Sequence, residues 1–332
     1  MKFSNEFSEN PVTLKAVQIA VSKGGSTIDA TTSKELKFNG KSEVTMDPGM
    51  AITSDQLSFH LEPRMNIAIS IYFGSTSPTV TGHPGSRTTS FILTGNTLSM
   101  DDLSGSVQTD HWYIISGIDV KAPESAAAVA ILGNSITDGR GSGTNKQNRW
   151  PDILSERLIE NESTQYIAVL NLGIGGNCVL RSCLGPSALD RFERDVLQQE
   201  GIRWLIVLEG VNDIGQTRDS DNASVVARDL ISAYQRMIDK AHEKGILVYG
   251  ATILPFKPSF YYTDFRETAR SIVNEWIRNS DSFDAVVDFD LALRDPDDTL
   301  SLLPMAHTGD FLHPNEFGHK MMGDAVDLKL FE

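Results

Sequence analysis

The chain has 332 residues, 40% of them hydrophobic and 22% charged, the composition of a folded globular protein and not of a disordered one. Its 44 acidic against 29 basic side chains leave a formal charge of −15, which disfavours nucleic acid or an anionic membrane surface as a partner, since both call for clustered Lys and Arg. No apolar run approaches the roughly 20 residues a membrane helix needs, so no membrane insertion is expected.

"MKFSNEFSENP" at the N-terminus lacks the apolar stretch of a secretion leader. The sequence as it stands implies a cytoplasmic protein; a longer native N-terminus would imply a secreted one. Residues 1–123 read as an all-β domain, a sandwich or jelly roll. "MNIAISIYF" (65–73) alternates with the period of two that a half-buried strand needs. "VTLKAVQIAV" starts in one phase, with Val12, Leu14 and Ala16, and continues in the other, with Val17, Ile19 and Val21, which predicts a bulge. Turn clusters such as "SKGGST", "MDPGM" and "STSPTVTGHPGS" separate these short runs.

From residue 124 to 332 the pattern changes to an α/β domain. Apolar runs at 126–132, 166–172, 204–208, 247–252 and 285–289 are nearly continuous, as in a parallel sheet covered on both faces. Helical patterns fill the gaps. Asn222 is the expected cap of a long helix carrying Val226, Leu230, Tyr234, Met237 and Ala241 on one stripe. Asp264 and Glu267 have capping-box spacing at the next, with Phe265, Ala269, Ile272, Trp276 and Ile277 inward. Five alternations of strand and helix predict an open three-layer α/β/α sheet, whose chemistry gathers at the carboxyl ends of the strands. Cys178 and Cys183, the only cysteines, are expected as two free thiols, with a local disulfide as the alternative.

The segments after the strands carry the residues that acyl transfer needs. They are Gly133-Asn134-Ser135, then "NLGIGGN" with Gly176 and Asn177, then "EGVND" with Asn212 and Asp213, and finally "GDFLHP" with Asp310 and His313. A serine hydroxyl attacks a carbonyl only when a base takes its proton, and His313 is the candidate base with Asp310 to orient it. The backbone N–H groups of Ser135 and Gly176 and the side-chain amide of Asn212 are candidate donors to the resulting oxyanion. Asn212 is a better donor than Asp213, because a carboxylate repels an oxyanion.

Four more residues are candidates for touching substrate. Asn134 and Asn177 lie inside the first two segments. Trp150 opens the following helix, where packing is the first reading, and His83 sits on a β-domain loop, where a structural role is the default and lining the active-site cleft the alternative. Glu209 is charged and next to the third segment, with Arg149 or Arg181 as guessed partners. The aromatic stretch "PFKPSFYYTDF" (255–265) is a candidate wall for the acyl or sugar part of a substrate. "GRGSG" (139–143) lacks the Lys-Ser/Thr ending of a P-loop, so a nucleotide site is not expected.

Together the four segments resemble the SGNH (GDSL-type) hydrolase superfamily over about residues 126–328, in its two-domain form with an N-terminal β-sandwich. The resemblance implies a serine ester hydrolase of short-chain acyl esters or acetylated carbohydrates, with no cofactor and no metal. It implies Ser135 as nucleophile, Gly176 and Asn212 as oxyanion donors, His313 as base and Asp310 as its orienter. The rival reading is a non-catalytic carbohydrate-binding protein with a vestigial hydrolase domain. The first segment departs from the family's usual G-D-S by having Asn134. The β domain also resembles one that has lost an edge strand, and an exposed edge offers a homodimer as one way to cover it.

Overall fold

Two units divide the chain, Met1–Lys121 and Ala122–Glu332. The computed structural model describes all residues from 1 to 332. No helix is long and apolar enough to cross a membrane.

The N-terminal unit is β-rich and antiparallel. Its longest strand, Val12–Gly24, pairs with Ile67–Ser75 on one side and with Thr27–Leu36 and Val44–Met46 on the other. A second sheet places Lys2–Ser4 between Ile115–Gly117 and Ala51–Thr53. The phase shift in the long strand is a bulge: Leu14 lies across from Phe73 and Ala16 across from Tyr72, so Lys15 is the extra residue. That single insertion lets Val12 and Leu14 before it, and Val17 and Ile19 after it, enter one core with Phe3, Leu36, Phe38 and Met46.

The C-terminal unit is a five-stranded, fully parallel sheet. In spatial order the strands are Ile167–Gly173, Ala127–Gly133, Ile202–Leu208, Leu247–Ala251 and Ala285–Val287. In sequence numbering this is 2-1-3-4-5, so the direction of winding reverses beside the first strand. Ligand crevices open at such a switch point, outside the carboxyl ends of the strands.

Alternate residues of the strands feed two cores, which is why the runs are apolar throughout. Ala130, Leu132, Leu205, Val207 and Val248 meet the helices Ser220–His242 and Asp264–Asn279. Val129, Ile131, Ile206, Leu208 and Tyr249 meet Trp150–Glu160, Phe289–Leu293 and Glu316–Ala325. Trp150 is fully buried in this second core with its ring edge-on to Phe289, so it packs and presents nothing to a substrate.

Several local expectations change. The long helix starts earlier than Asn222: Asp219 is the cap, and its side chain accepts the Asn222 N–H. The next helix is capped by Thr263, not by an Asp264–Glu267 box, because Glu267 turns instead to Arg270. On that helix Ile272 is exposed, while Ala269 and Ile277 are buried. The fifth strand stops at Val287, where Asp288 caps a short helix beginning at Phe289. Cys178 and Cys183 are joined in a disulfide, so the expected free thiols are absent.

Gly173 ends the second strand against the turn of the first. A Cβ built there would lie 2.2 Å from the Asp138 backbone nitrogen, which cannot move aside as a side chain can. Gly173→Ala should therefore destabilise the C-terminal unit by about 1–3 kcal/mol or more, read as a lower denaturant midpoint. An unchanged midpoint would mean that the two strand ends are not packed this tightly.

Candidate active site

The first strand ends at Gly133, and Asn134 turns the chain directly into the short helix Ser135–Asp138. Asn134 Oδ1 accepts the Ile136 N–H at 3.1 Å, which holds the turn and points Ser135 out of the strand end. Ser135 Oγ lies 2.9 Å from His313 Nε2, although 178 residues separate them in sequence. His313 Nδ1 lies 2.6 Å from Asp310 Oδ2. A carboxylate can only accept, so Nδ1 carries the ring proton and Nε2 is left as the acceptor for the Ser135 hydroxyl.

The loop carrying His313 is built for this contact. Phe311 adopts the left-handed region, with φ +59°, a conformation that costs a non-glycine residue about 1–3 kcal/mol and clusters at functional sites. In return Asp310 Oδ1 accepts the N–H groups of both Leu312 and His313, at 3.0 and 2.9 Å. Partial burial opposes ionisation of Asp310, yet these two N–H groups and the His313 ring hold its carboxyl well below the usual range. Asp310 thus stays ionised beside the imidazole.

Candidate oxyanion donors come from the second and third strand ends. Gly176 takes φ +70°, a conformation suited to glycine. Neither its N–H nor that of Ser135 donates to any acceptor within the protein. Asn212 gives one amide hydrogen to Asn177 O at 2.7 Å, while its Oδ1 accepts from Tyr261 OH at 3.0 Å. A main-chain oxygen on the nitrogen side fixes the amide's orientation and leaves the second N–H for a ligand. Asp213, next along, is turned inward: its carboxylate accepts the N–H groups of Val179 and Leu180 and ties the third segment to the loop after the second.

Of the candidate substrate contacts, Asn134 and Asn177 are fully buried and serve the framework. Asn134 Nδ2 donates to Leu208 O and Glu209 Oε2, at 3.4 and 3.3 Å. Asn177 donates to Pro186 O and accepts from Arg191. His83 belongs to the N-terminal unit, where it lies across from Trp112 in a strand pair.

Glu209 pairs with neither Arg149 nor Arg181. Its charge partner is Arg191, with Nη2 3.8 Å from Oε1 and both side chains buried. Burial pushes the Glu209 carboxyl up to about 8, in spite of the nearby guanidinium and the Asn134 and Gly210 hydrogen bonds. Arg191 and Tyr261, which bond to Asn177 and Asn212, are the neighbours that sequence reasoning did not single out individually. Tyr261 lay inside the aromatic stretch already singled out, whereas nothing marks Arg191 apart from other arginines.

A family model described as the GDSL-like lipase/acylhydrolase family matches residues 131–321. No curated protein sequence matches the chain. Among solved structures, the chain is similar to a protein assigned to the lipolytic G-D-S-L family from Desulfitobacterium hafniense, at 22% identity over 60% of this chain and 97% of that one, TM-score 0.47. It is similar to a member of the same family from Veillonella parvula, at 23% identity over 62% and 98%, TM-score 0.46. A catalytic mutant of an acetylxylan esterase from Geobacillus stearothermophilus shows 19% identity over 60% and 93%, TM-score 0.45. Likeness at this level carries no argument about substrate.

A carboxyl whose value rises from 4.5 in the unfolded chain to about 8 in the fold holds more protons folded than unfolded between those limits. Its contribution to stability is then fully present below pH 4.5 and is lost as pH rises towards 8. Glu209→Gln should remove this term, so its stability relative to the parent should increase steadily over that window in pH-dependent unfolding. A difference that is constant with pH would show that Glu209 titrates normally.

Proposed function

The chain belongs to the GDSL-like lipase/acylhydrolase family, and from that premise we propose that it is a serine ester hydrolase working through an acyl-enzyme on Ser135. The observation that carries the proposal is the unbroken hydrogen-bond chain from Ser135 Oγ through His313 to Asp310, at 2.9 and 2.6 Å. A serine buried in a polar turn for structural reasons has no need of a histidine that is itself oriented by an ionised aspartate.

In the proposed reaction, Ser135 Oγ attacks the ester carbonyl while its proton passes to His313 Nε2. The imidazolium so formed is stabilised by Asp310, which keeps its negative charge. The carbonyl oxygen, now an oxyanion, takes hydrogen bonds from the N–H groups of Ser135 and Gly176 and the free N–H of Asn212. His313 returns the proton to the departing alkoxide, and the alcohol leaves. Water then attacks the acyl-Ser135 ester, deprotonated by the same His313, and the carboxylic acid and free serine are released.

Short acyl esters are the proposed substrates. An acetylated carbohydrate is the finer version of the proposal, favoured only by analogy with hydrolase domains that follow a β-rich unit. The reading as a vestigial, carbohydrate-binding domain is disfavoured because no member of the hydrogen-bond chain is missing or displaced.

p-Nitrophenyl acetate, butyrate and octanoate, with acetylated xylan alongside, provide the test. The parent should hydrolyse the short esters, and Ser135→Ala should lower kcat by ~10⁴-fold or more. Activity that survives the substitution would remove Ser135 from the mechanism, and no activity on any ester would favour the binding reading. Asn212→Ala should lower kcat by about 10²–10³-fold with little change in KM, the signature of a donor used in the transition state. An increase confined to KM would instead make Asn212 a ground-state contact.

A further inference from the structure

One contact beside the nucleophile has no part in the reaction just described. Glu209 is fully buried, and its hydrogen bonding is sparse. Oε2 accepts from Asn134 Nδ2 and from the Gly210 N–H, both at 3.3 Å. Oε1 accepts no hydrogen bond and faces Arg191 from 3.8 Å. The Asn134 amide therefore supplies one of only two hydrogen bonds this carboxyl receives.

Asn134 acts in two directions at once. Its Oδ1 caps the turn at Ile136, next to Ser135, and its Nδ2 serves two acceptors, Leu208 O and Glu209 Oε2. A carboxylate at position 134 would preserve the cap. It would also set a new acceptor against two existing ones with no hydrogen between them, in a site closed to water. Two carboxylates this close cannot both ionise without cost.

We propose that Asn134 and Glu209 form one coupled unit, in which the buried glutamate requires an amide beside the nucleophile and acts through it as a positioning residue for Ser135. The proposal rests on the reading of Ser135 as nucleophile. It also accounts for Asn134 in the first segment: the carboxyl group absent there is present one contact away, at Glu209, and takes a hydrogen bond from the amide. Glu209 does not touch the reacting atoms. Its influence passes through Asn134 to the turn that aims Ser135 Oγ at His313.

The other charged and titratable groups that act on Glu209 come from three helices. They are Arg191 of Ala188–Phe192, Asp213 of Val211–Gly215, and Tyr234 of Ser220–His242, whose hydroxyl donates to the Glu209 main-chain oxygen. Arg191 favours ionised Glu209, and Asp213 opposes it. A second carboxylate at 134 would side with Asp213, and the pair would then hold on to a shared proton.

The experiment is a double-substitution cycle of Asn134→Asp and Glu209→Gln, with kcat for p-nitrophenyl acetate taken relative to the parent near pH 6 and near pH 9. Asn134→Asp should lose about 30-fold or more near pH 9, and only a fewfold near pH 6, where a proton is shared between the two carboxyls. The double variant, which has the parent's net charge, should recover about tenfold or more of the loss near pH 9, because the amide introduced by Glu209→Gln can donate to the carboxylate introduced by Asn134→Asp. Equal losses at both pH values, no loss at all, or no recovery in the double variant would each overturn the coupling.

Thermal unfolding of the same four proteins provides a readout independent of activity. Asn134→Asp should melt lower than the parent, by more near pH 9 than near pH 6, and the double variant should regain part of the difference. Strictly additive shifts near pH 9 would overturn the proposal. If the parent hydrolyses no ester while the melting cycle shows coupling, the functional reading fails and the Asn134–Glu209 pair stands.

Discussion

A buried guanidinium must satisfy its donors inside the protein, and Arg191 does so by joining the strand ends that build the site. All five of its N–H groups are used. Nε and Nη2 donate to Asn177 Oδ1, Nη2 also to Gly133 O, and Nη1 to Leu172 O and to Asp195. Gly133 closes the first strand, Leu172 is near the end of the second, and Glu209, which faces the same guanidinium, follows the third. One planar cation thus ties together Gly133 before the Ser135 turn, Asn177 after Gly176, and Glu209 before the Asn212 turn. Placing a charge at this depth is costly unless every bond is made, which is why the surrounding loops converge on it.

Around that brace the charges are sorted by depth. Asp310 is partly exposed and heavily hydrogen-bonded, so it stays ionised beside the imidazole that the proposed reaction would protonate. Glu209 and Asp213 are deeper, and burial raises both. They work on loop geometry and not on the reacting atoms. The strained Phe311 lies on the loop before the helix Glu316–Ala325, and the left-handed Gly176 on the loop after the second strand. Strain such as that of Phe311 persists where neighbouring bonds fix the backbone, and here the Asp310 carboxylate does so by accepting the Leu312 and His313 N–H groups.

The layered fold was readable from residues alone, because each signal is local, and so were Ser135, His313 and Asp310, which the fold joins by hydrogen bonds. A run such as 126–132 is apolar on both faces only if helices cover both, and Ser135, Asn212 and His313 each sit in a short polar segment next to such a run or near the C-terminus. The contacts of Arg191 and Tyr261, and the choice between free thiols and a Cys178–Cys183 bond, were not settled by the residues, for one common reason. Their partners are distant in sequence or, for the cysteines, decided by a loop's path, and no residue pattern encodes that. The helix caps failed by small margins: Asp219 and Thr263 are both capping residue types, and which one caps depends on where the preceding loop delivers the chain. Trp150 follows its packing reading and not its substrate-contact one: an aromatic beside a site is as readily core as wall, and here the second core takes it.

The central claim is that His313 makes Ser135 a nucleophile. Reaction with a fluorophosphonate, followed by mass spectrometry of intact protein and peptides, measures this without assuming any natural substrate. The serine oxygen displaces fluoride and remains covalently phosphonylated. A single adduct on Ser135, with its rate of formation reduced ~10³-fold or more in His313→Ala, is the predicted result. Labelling at another residue, or labelling of Ser135 at an unchanged rate without His313, would contradict the account.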